Sequence, residues 1–396
     1  MCTPKNKKPH HGASLEHGEA HSRDHRFWSR RDFLRNLGMA GAGSAMLGGM
    51  PLTAFRFSPL GLSLTNNSGR ILVVIRLTGG NDGLNTFVPL YDYGTYSSLR
   101  PNLAIPQNEL LQLTSEFGIP SYMSDLMPLW QDGRMKVINS VGYEEQNLSH
   151  FRSMDIWESA SDADVMDSSG WLGRLVEEQY PDLLVNPPDH PPAIQIGAPD
   201  SKLFNSLDLV SLSFSVSRAE ELEAIAQTGE LFDANGPADC YGGEQLNFLR
   251  AVTNNTYKYF EVIQQAYESS ANGVDYQFSL GGQLALVARM IKGGLNTSLY
   301  MVSINGFDTH AGQEDYHPAL LNELAGQVKN FFDDLMPGGH DQRVLCMTTS
   351  EFGRRIEENA SLGTDHGSAA PLMLFGPGLN GNGFLDPGEL GLNGRT

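Results

Sequence analysis

The chain has 396 residues, 40% of them hydrophobic and 9% aromatic, with a formal net charge of -19. That is apolar material enough for one large α/β core or two smaller ones, and the acidic balance argues against nucleic acid or an anionic membrane as partner, since their phosphates would be repelled. Cys2, Cys240 and Cys346 are too few for a disulfide scaffold and match no zinc-ribbon or Cys-x-x-Cys redox spacing.

Residues 1–60 read as an address. Met1 to Arg35 is locally basic, with eight Lys/Arg against four Asp/Glu. Ser29-Arg30-Arg31-Asp32-Phe33-Leu34 has the form of a twin-arginine export signal, and the mildly apolar, Gly/Ala-rich stretch Gly38 to Leu52 follows it. That stretch is too short and too rich in glycine for a stable membrane span. The expectation is passage through the twin-arginine translocation machinery and a periplasmic or extracellular protein, anchored in the membrane if the signal is retained. His10, His11, His17, His21 and His25, five of the eleven histidines, would leave with a cleaved signal.

From residue 65 to 396 the pattern is that of one α/β domain. Strands are predicted at Ile71 to Ile75, Lys136 to Val141, Ala193 to Ile196, Ser298 to Ile304, Val344 to Thr349 and Pro371 to Phe375, as short apolar runs rich in β-branched residues. Helical periodicity marks Phe151 to Ala160, Ala219 to Gln227, Gln245 to Ser269, Gln283 to Lys292 and Pro318 to Leu335. Strands alternating with helices predict a three-layer α/β/α architecture around a mostly parallel sheet, with ligands at the carboxyl ends of the strands. The strand-poor region around 200–275 reads as a helical insertion.

Candidate site residues follow the strands. Asp82 ends Thr78-Gly-Gly-Asn-Asp82, where an Asx turn is the competing reading. Asp308 and His310 lie after the strand ending at Ile304, and Asp365 and His366 precede the last strand. Carboxylate and imidazole together are ligands for a divalent cation, so these pairs are metal candidates. His317 opens a helix and is either a further ligand or a solvating group there. Glu351 binds metal or pairs with Arg354, and Arg354 alternatively grips an anionic oxygen. Ser149, in Asn147-Leu-Ser149-His150-Phe-Arg152, sits where a helix N-terminus would favour an attacking oxygen, though a serine there also serves as an N-cap. No Gly-x-Ser-x-Gly elbow is present.

Leu77-Thr-Gly-Gly-Asn-Asp-Gly-Leu-Asn-Thr86, Ser149-His150-Phe151, Gly306-Phe-Asp-Thr-His310, Ser350-Glu-Phe-Gly-Arg354 and Gly363-Thr-Asp-His-Gly367 together resemble the domain of unknown function 1501 family. That family is in turn similar to the alkaline phosphatase and sulfatase superfamily. The resemblance implies an alkaline phosphatase-like fold and two divalent metals, whether zinc, manganese, magnesium or calcium, around an anionic phosphate or sulfate ester. It implies Asp82, Asp365 and His366 at one metal, Asp308 and His310 at the other, with His317 as a substitute ligand, and Ser149 as nucleophile. The chain departs from the superfamily in the spacing Asp308-Thr-His310 and in having no histidine after His366. Those departures suit the alternative of an exported binding or assembly protein that keeps the fold without turnover, or a chain lacking a C-terminal portion.

Overall fold

The computed structural model describes residues 46–47, 50–51, 69–183, 186–197, 201–208, 210–216, 241–379 and 381–385. The chain forms two compact units, Met1–Ser68 with Phe232–Ala251, and Gly69–Leu231 with Val252–Thr396. In the first unit, Met46–Leu47 and Met50–Pro51 pair antiparallel. The expected export signal otherwise lies outside the described residues, as does the helix expected at Ala219 to Gln227.

The second unit is built on an eight-stranded sheet. Its strands are β1 (Ile71–Thr78), β2 (Met135–Val141), β3 (Ala193–Ile196), β4 (Phe214–Val216), β5 (Leu299–Asn305), β6 (Val344–Ser350), β7 (Ala370–Phe375) and β8 (Gly383–Leu385). They lie in the order β8-β2-β7-β6-β1-β5-β3-β4. All six predicted strands are present. Phe214–Val216 and Gly383–Leu385, of three residues each, are too short for a periodic pattern to announce. The region around 200–275 is therefore not wholly helical, because β4 pairs parallel to β3 at the sheet edge.

Every strand but β7 runs the same way; β7 pairs antiparallel with both β6 and β2. The reversal matters for the site. The carboxyl ends of β1, β5 and β6 are level, with Thr78 opposite Asn305 and Leu77 opposite Ser350. Because β7 runs against them, the residues that precede it, Asp365 and His366 included, arrive at that same edge.

β1 is central and buried along its length, as its unbroken β-branched run requires. Its residues alternate between two faces. Ile71, Val73, Ile75 and Leu77 join one core with apolar residues of α3 (Tyr241–Glu268), α4 (Phe278–Lys292) and α5 (Gln313–Leu335). From the opposite face Arg76 reaches Glu158 of α1 (His150–Ser159), at 2.7 Å. Helices thus cover both faces, giving the three layers. A further helix, α2 (Trp171–Gln179), has its apolar face at Leu172 and Val176.

Close backbone approaches draw the edge loops together. Gly79 has φ +118°, and a Cβ there would stand 2.3 Å from the Asp308 backbone nitrogen. At Gly363 a Cβ would meet the His310 carbonyl carbon and oxygen at 2.3 Å. Neither position tolerates a side chain without displacing the loop that carries Asp308 and His310. Among the described residues, no helix is long and apolar enough to cross a membrane.

Candidate metal centre

Four side chains converge at this edge: His150 from the start of α1, Asp308 and His310 from the loop after β5, and His366 from the short strand His366–Gly367. Ligand atoms of His150, Asp308 and His366 all lie within 4.8 Å of one another. His310 Nε2 is 2.8 Å from His366 Nε2 and 3.2 Å from Asp308 Oδ1. Asp308 Oδ2 is 3.5 Å from His150 Nε2, and Asp308 Oδ1 is 3.4 Å from His366 Nε2.

The second nitrogen of each ring is held by an acceptor. Nδ1 of His150 pairs with Glu351 Oε2 at 2.5 Å, that of His310 with Asp365 Oδ1 at 3.3 Å, and that of His366 with the Leu148 carbonyl at 2.7 Å. An acceptor at Nδ1 fixes the proton there and leaves the lone pair on Nε2. Three Nε2 atoms are then aimed toward one carboxylate, and two of them face each other at 2.8 Å, a separation that requires a proton or a cation between them. Lone pairs so placed repel unless a positive charge lies among them. Tetrahedral zinc with Zn–N bonds of about 2.0–2.1 Å separates its ligand atoms by about 3.3 Å, and the spacings of Asp308 to the three rings and of His310 to His366 straddle that value. The residues therefore fit a divalent cation held by nitrogen and one carboxylate, with Glu351, Asp365 and Leu148 orienting the rings as outer partners do.

Electrostatics favour the same forms. Burial would raise Asp308, but the hydrogen bond and charge of Arg354, then the nearby His150 and His310, hold its carboxyl below the usual range. Burial lowers His366 and the Arg354 charge adds to this, against the raising effect of the Leu148 carbonyl. A hydrogen bond from Asn359, opposed by weak desolvation and followed by His310, keeps Asp365 low.

The candidates divide. Asp308, His310 and His366 come together, and Asp365 stands behind His310, its Oδ1 taken up by that ring and by Asn359 Nδ2. Asp82 lies elsewhere: it is buried, ion-paired with Arg100 at 2.5 Å, and accepts from the backbone of Leu84 and Asn85 and from Gln313 Nε2. That corrects its expected ligand role, because its oxygens are committed and Arg100 already neutralises it. His317 is also buried away from the cluster, with Nε2 3.0 Å from Asn81 Oδ1. Burial outweighs the attraction of Asp82 and depresses His317 to a pKa of about 4.

Arg354 is corrected too. Its side chain is fully buried, and its nitrogens donate to the carbonyls of Gly79, Gly80, Phe307 and Thr364 and to Asp308 Oδ1. Every guanidinium nitrogen is thus engaged, with Asp308 and with the loops it ties together. Glu351 neither faces the cluster nor pairs with Arg354, but holds His150 and accepts from Gly79 N at 3.1 Å. Ser149 is exposed at the start of α1, and its side chain makes no capping hydrogen bond. It lies between Leu148, whose carbonyl orients His366, and His150 itself.

His150 is the cluster member that sequence reasoning passed over. Its place after β2 and at a helix start gave the same positional cue as Ser149, but a single histidine without a neighbouring carboxylate has no ligand spacing to betray it.

Residues 242–385 match the family described as Protein of unknown function (DUF1501). The DUF1501 match takes in Asp308, His310, Glu351, Arg354, Asp365 and His366, while Ser149 and His150 precede it. No curated protein sequence matches the chain. Among solved structures, the chain is similar to alkaline phosphatase from the Antarctic bacterium TAB5, at 10% identity and a TM-score of 0.32, over 78% of this chain and 94% of that one. It is similar to the C-terminal periplasmic domain of EcEptC from Escherichia coli, in complex with Zn, at 9% identity and a TM-score of 0.36, over 79% of this chain and 74% of that one. It is also similar to the lipoteichoic acid synthase LtaP from Listeria monocytogenes, at 11% identity and a TM-score of 0.31, over 89% of this chain and 74% of that one.

Proposed function

We propose that the protein is an exported metal-dependent hydrolase of phosphate or sulfate esters with a single metal centre. The observation that carries this reading is the convergence of the His150, His310 and His366 Nε2 atoms on Asp308, each ring held from behind. These four side chains would hold the ion. Three imidazoles and one carboxylate suit zinc better than magnesium or calcium, which take oxygen ligands. A second ion at Asp82 is not part of the proposal, because Arg100 supplies the positive charge there.

When bound, the ion supplies Lewis acidity that neutralises charge on the ester oxygens. Asp308 and His310 are half exposed, so an ester reaches the cluster from solvent. Ser149 is the proposed nucleophile. Its hydroxyl oxygen, uncommitted to the helix cap and at a helix N-terminus, attacks the ester phosphorus or sulfur; the ester bond to the alcohol breaks, and the departing alcohol takes the serine proton. Water then releases the seryl ester. Arg354 holds Asp308 in register, and Glu351 and Asp365 hold the rings. Export rests on the Ser29 to Leu34 motif.

The test is a screen of aryl and alkyl phosphate and sulfate esters with the zinc-loaded mature protein and a Ser149→Ala control. Turnover abolished by the substitution supports the reading. Turnover that survives it removes Ser149 as nucleophile, and no turnover with any divalent ion favours a binding protein.

A further inference from the structure

Apart from α1, two loops supply the cluster: Asp308-Thr309-His310 after β5 and Thr364-Asp365-His366 before β7. Each carries a buried threonine beside its metal candidates, Thr309 at 3% exposure and Thr364 at 0%. The two backbones meet where Thr364 N donates to the Thr309 carbonyl at 3.2 Å. The two hydroxyls meet as well, on a third residue. Gln313, the first residue of α5 and itself buried, accepts the Thr309 hydroxyl at 3.1 Å and the Thr364 hydroxyl at 2.6 Å, both on Oε1. Its backbone nitrogen donates to the Leu362 carbonyl at 2.9 Å, which tethers the start of the helix to the second loop.

The other end of the amide is fixed by charge. Gln313 Nε2 donates to Asp82 Oδ2. Burial would raise the Asp82 carboxyl, but the charge and hydrogen bond of Arg100 outweigh it, so this carboxylate accepts and does not donate. The amide must therefore turn its nitrogen to Asp82 and its oxygen to the threonines. A carbonyl oxygen has two lone pairs, and the two hydroxyls fill them. An apolar side chain at this position would leave both buried hydroxyls without their acceptor.

We propose that Gln313 is a positioning residue for the metal centre: by taking both threonine hydroxyls on one oxygen, it sets the spacing of Asp308 and His310 against His366. The inference rests on the metal-centre reading above. It gives the buried Asp82–Arg100 pair a part at the site as the anchor of Gln313, without a ligand role.

Zinc affinity by chelator competition, and the visible absorption of the cobalt(II)-loaded protein, are measured for wild type, Gln313→Met, the pair Thr309→Val with Thr364→Val, and the triple variant. Val328→Ala, a buried apolar position further along α5, reports what lost stability alone does. Outer partners of metal ligands typically contribute roughly 10- to 100-fold in affinity, and Gln313, acting through a neighbouring residue, should contribute about 10-fold. The expected result is that loss in Gln313→Met and in the threonine pair, no further loss in the triple variant, an altered cobalt spectrum in all three, and wild-type values for Val328→Ala. If Gln313→Met does not fold, the threonine pair, which keeps the donor to Asp82, decides alone. Wild-type affinity and spectrum in the threonine pair, losses that add in the triple variant, or an equal loss in Val328→Ala would each overturn the role of Gln313 and leave the metal centre standing. A wild type that takes up neither ion contradicts the metal centre itself, and the role of Gln313 with it.

Discussion

Glu351 Oε2 lies 2.5 Å from Nδ1 of His150, joining the end of β6 to the start of α1 across 201 residues of sequence. The contact fixes which nitrogen of His150 faces the cluster. Removing such an outer partner typically lowers metal affinity 10- to 100-fold. Glu351→Gln should weaken zinc binding by about that factor in chelator competition, and unchanged affinity would show that His150 needs no such support.

Arg100 and Asp82 form a buried ion pair. Breaking one partner of a buried pair leaves the other uncompensated, at about 3–5 kcal/mol. Arg100→Met should therefore lose about that much stability in urea unfolding, with part of it recovered on adding Asp82→Asn. A loss under about 1 kcal/mol would mean that Asp82 is satisfied by its other donors.

His317 predicts a distinct pH dependence. Its folded pKa of about 4 lies below the usual 6.5, so above pH 6.5 the ring is neutral folded and unfolded and contributes no slope. Between pH 6.5 and 4 the unfolded chain takes up a proton that the folded chain excludes, and stability falls, by up to about 3 kcal/mol for the shift of that size. Below pH 4 both states carry the proton and this contribution levels off. Denaturant unfolding from pH 8 to 4, with His317→Gln as control, should show a shallower decline in the variant; parallel curves would contradict the assignment.

Gly79→Ala should damage site and fold together. A methyl group 2.3 Å from Asp308 N, on a backbone with φ +118°, forces the β5 loop away from Gly79. Weakened zinc binding accompanied by a lower unfolding midpoint is the expected outcome, and wild-type values for both would contradict it.

The fold was legible because β1, β5 and β6 are apolar runs long enough to show that both faces are covered, and loops at their ends could be assigned to one edge from chain order alone. The reversal of β7 had no sequence mark, yet the assignment of Asp365 and His366 to that edge stood, since they precede an antiparallel strand. Helix starts were less legible: α4 begins at Phe278 and α5 at Gln313, ahead of the expected Gln283 and Pro318. The expected start of α5 falls on Pro318, which lies inside the helix. Site roles were legible only as residue types. Asp82, Arg354 and Asp308 all looked able to face a ligand, and what separated them was the Arg100 guanidinium in one case and complete burial in another, neither of which spacing encodes.

The most direct test is elemental analysis of the purified protein beside a folded His150→Ala, His366→Ala variant, with circular dichroism confirming the fold. The account predicts about one zinc per wild-type chain, set by a single four-ligand site, and its loss from the variant. Wild-type protein that neither contains nor takes up a divalent ion, or a variant that retains it at the same stoichiometry, would contradict the metal centre.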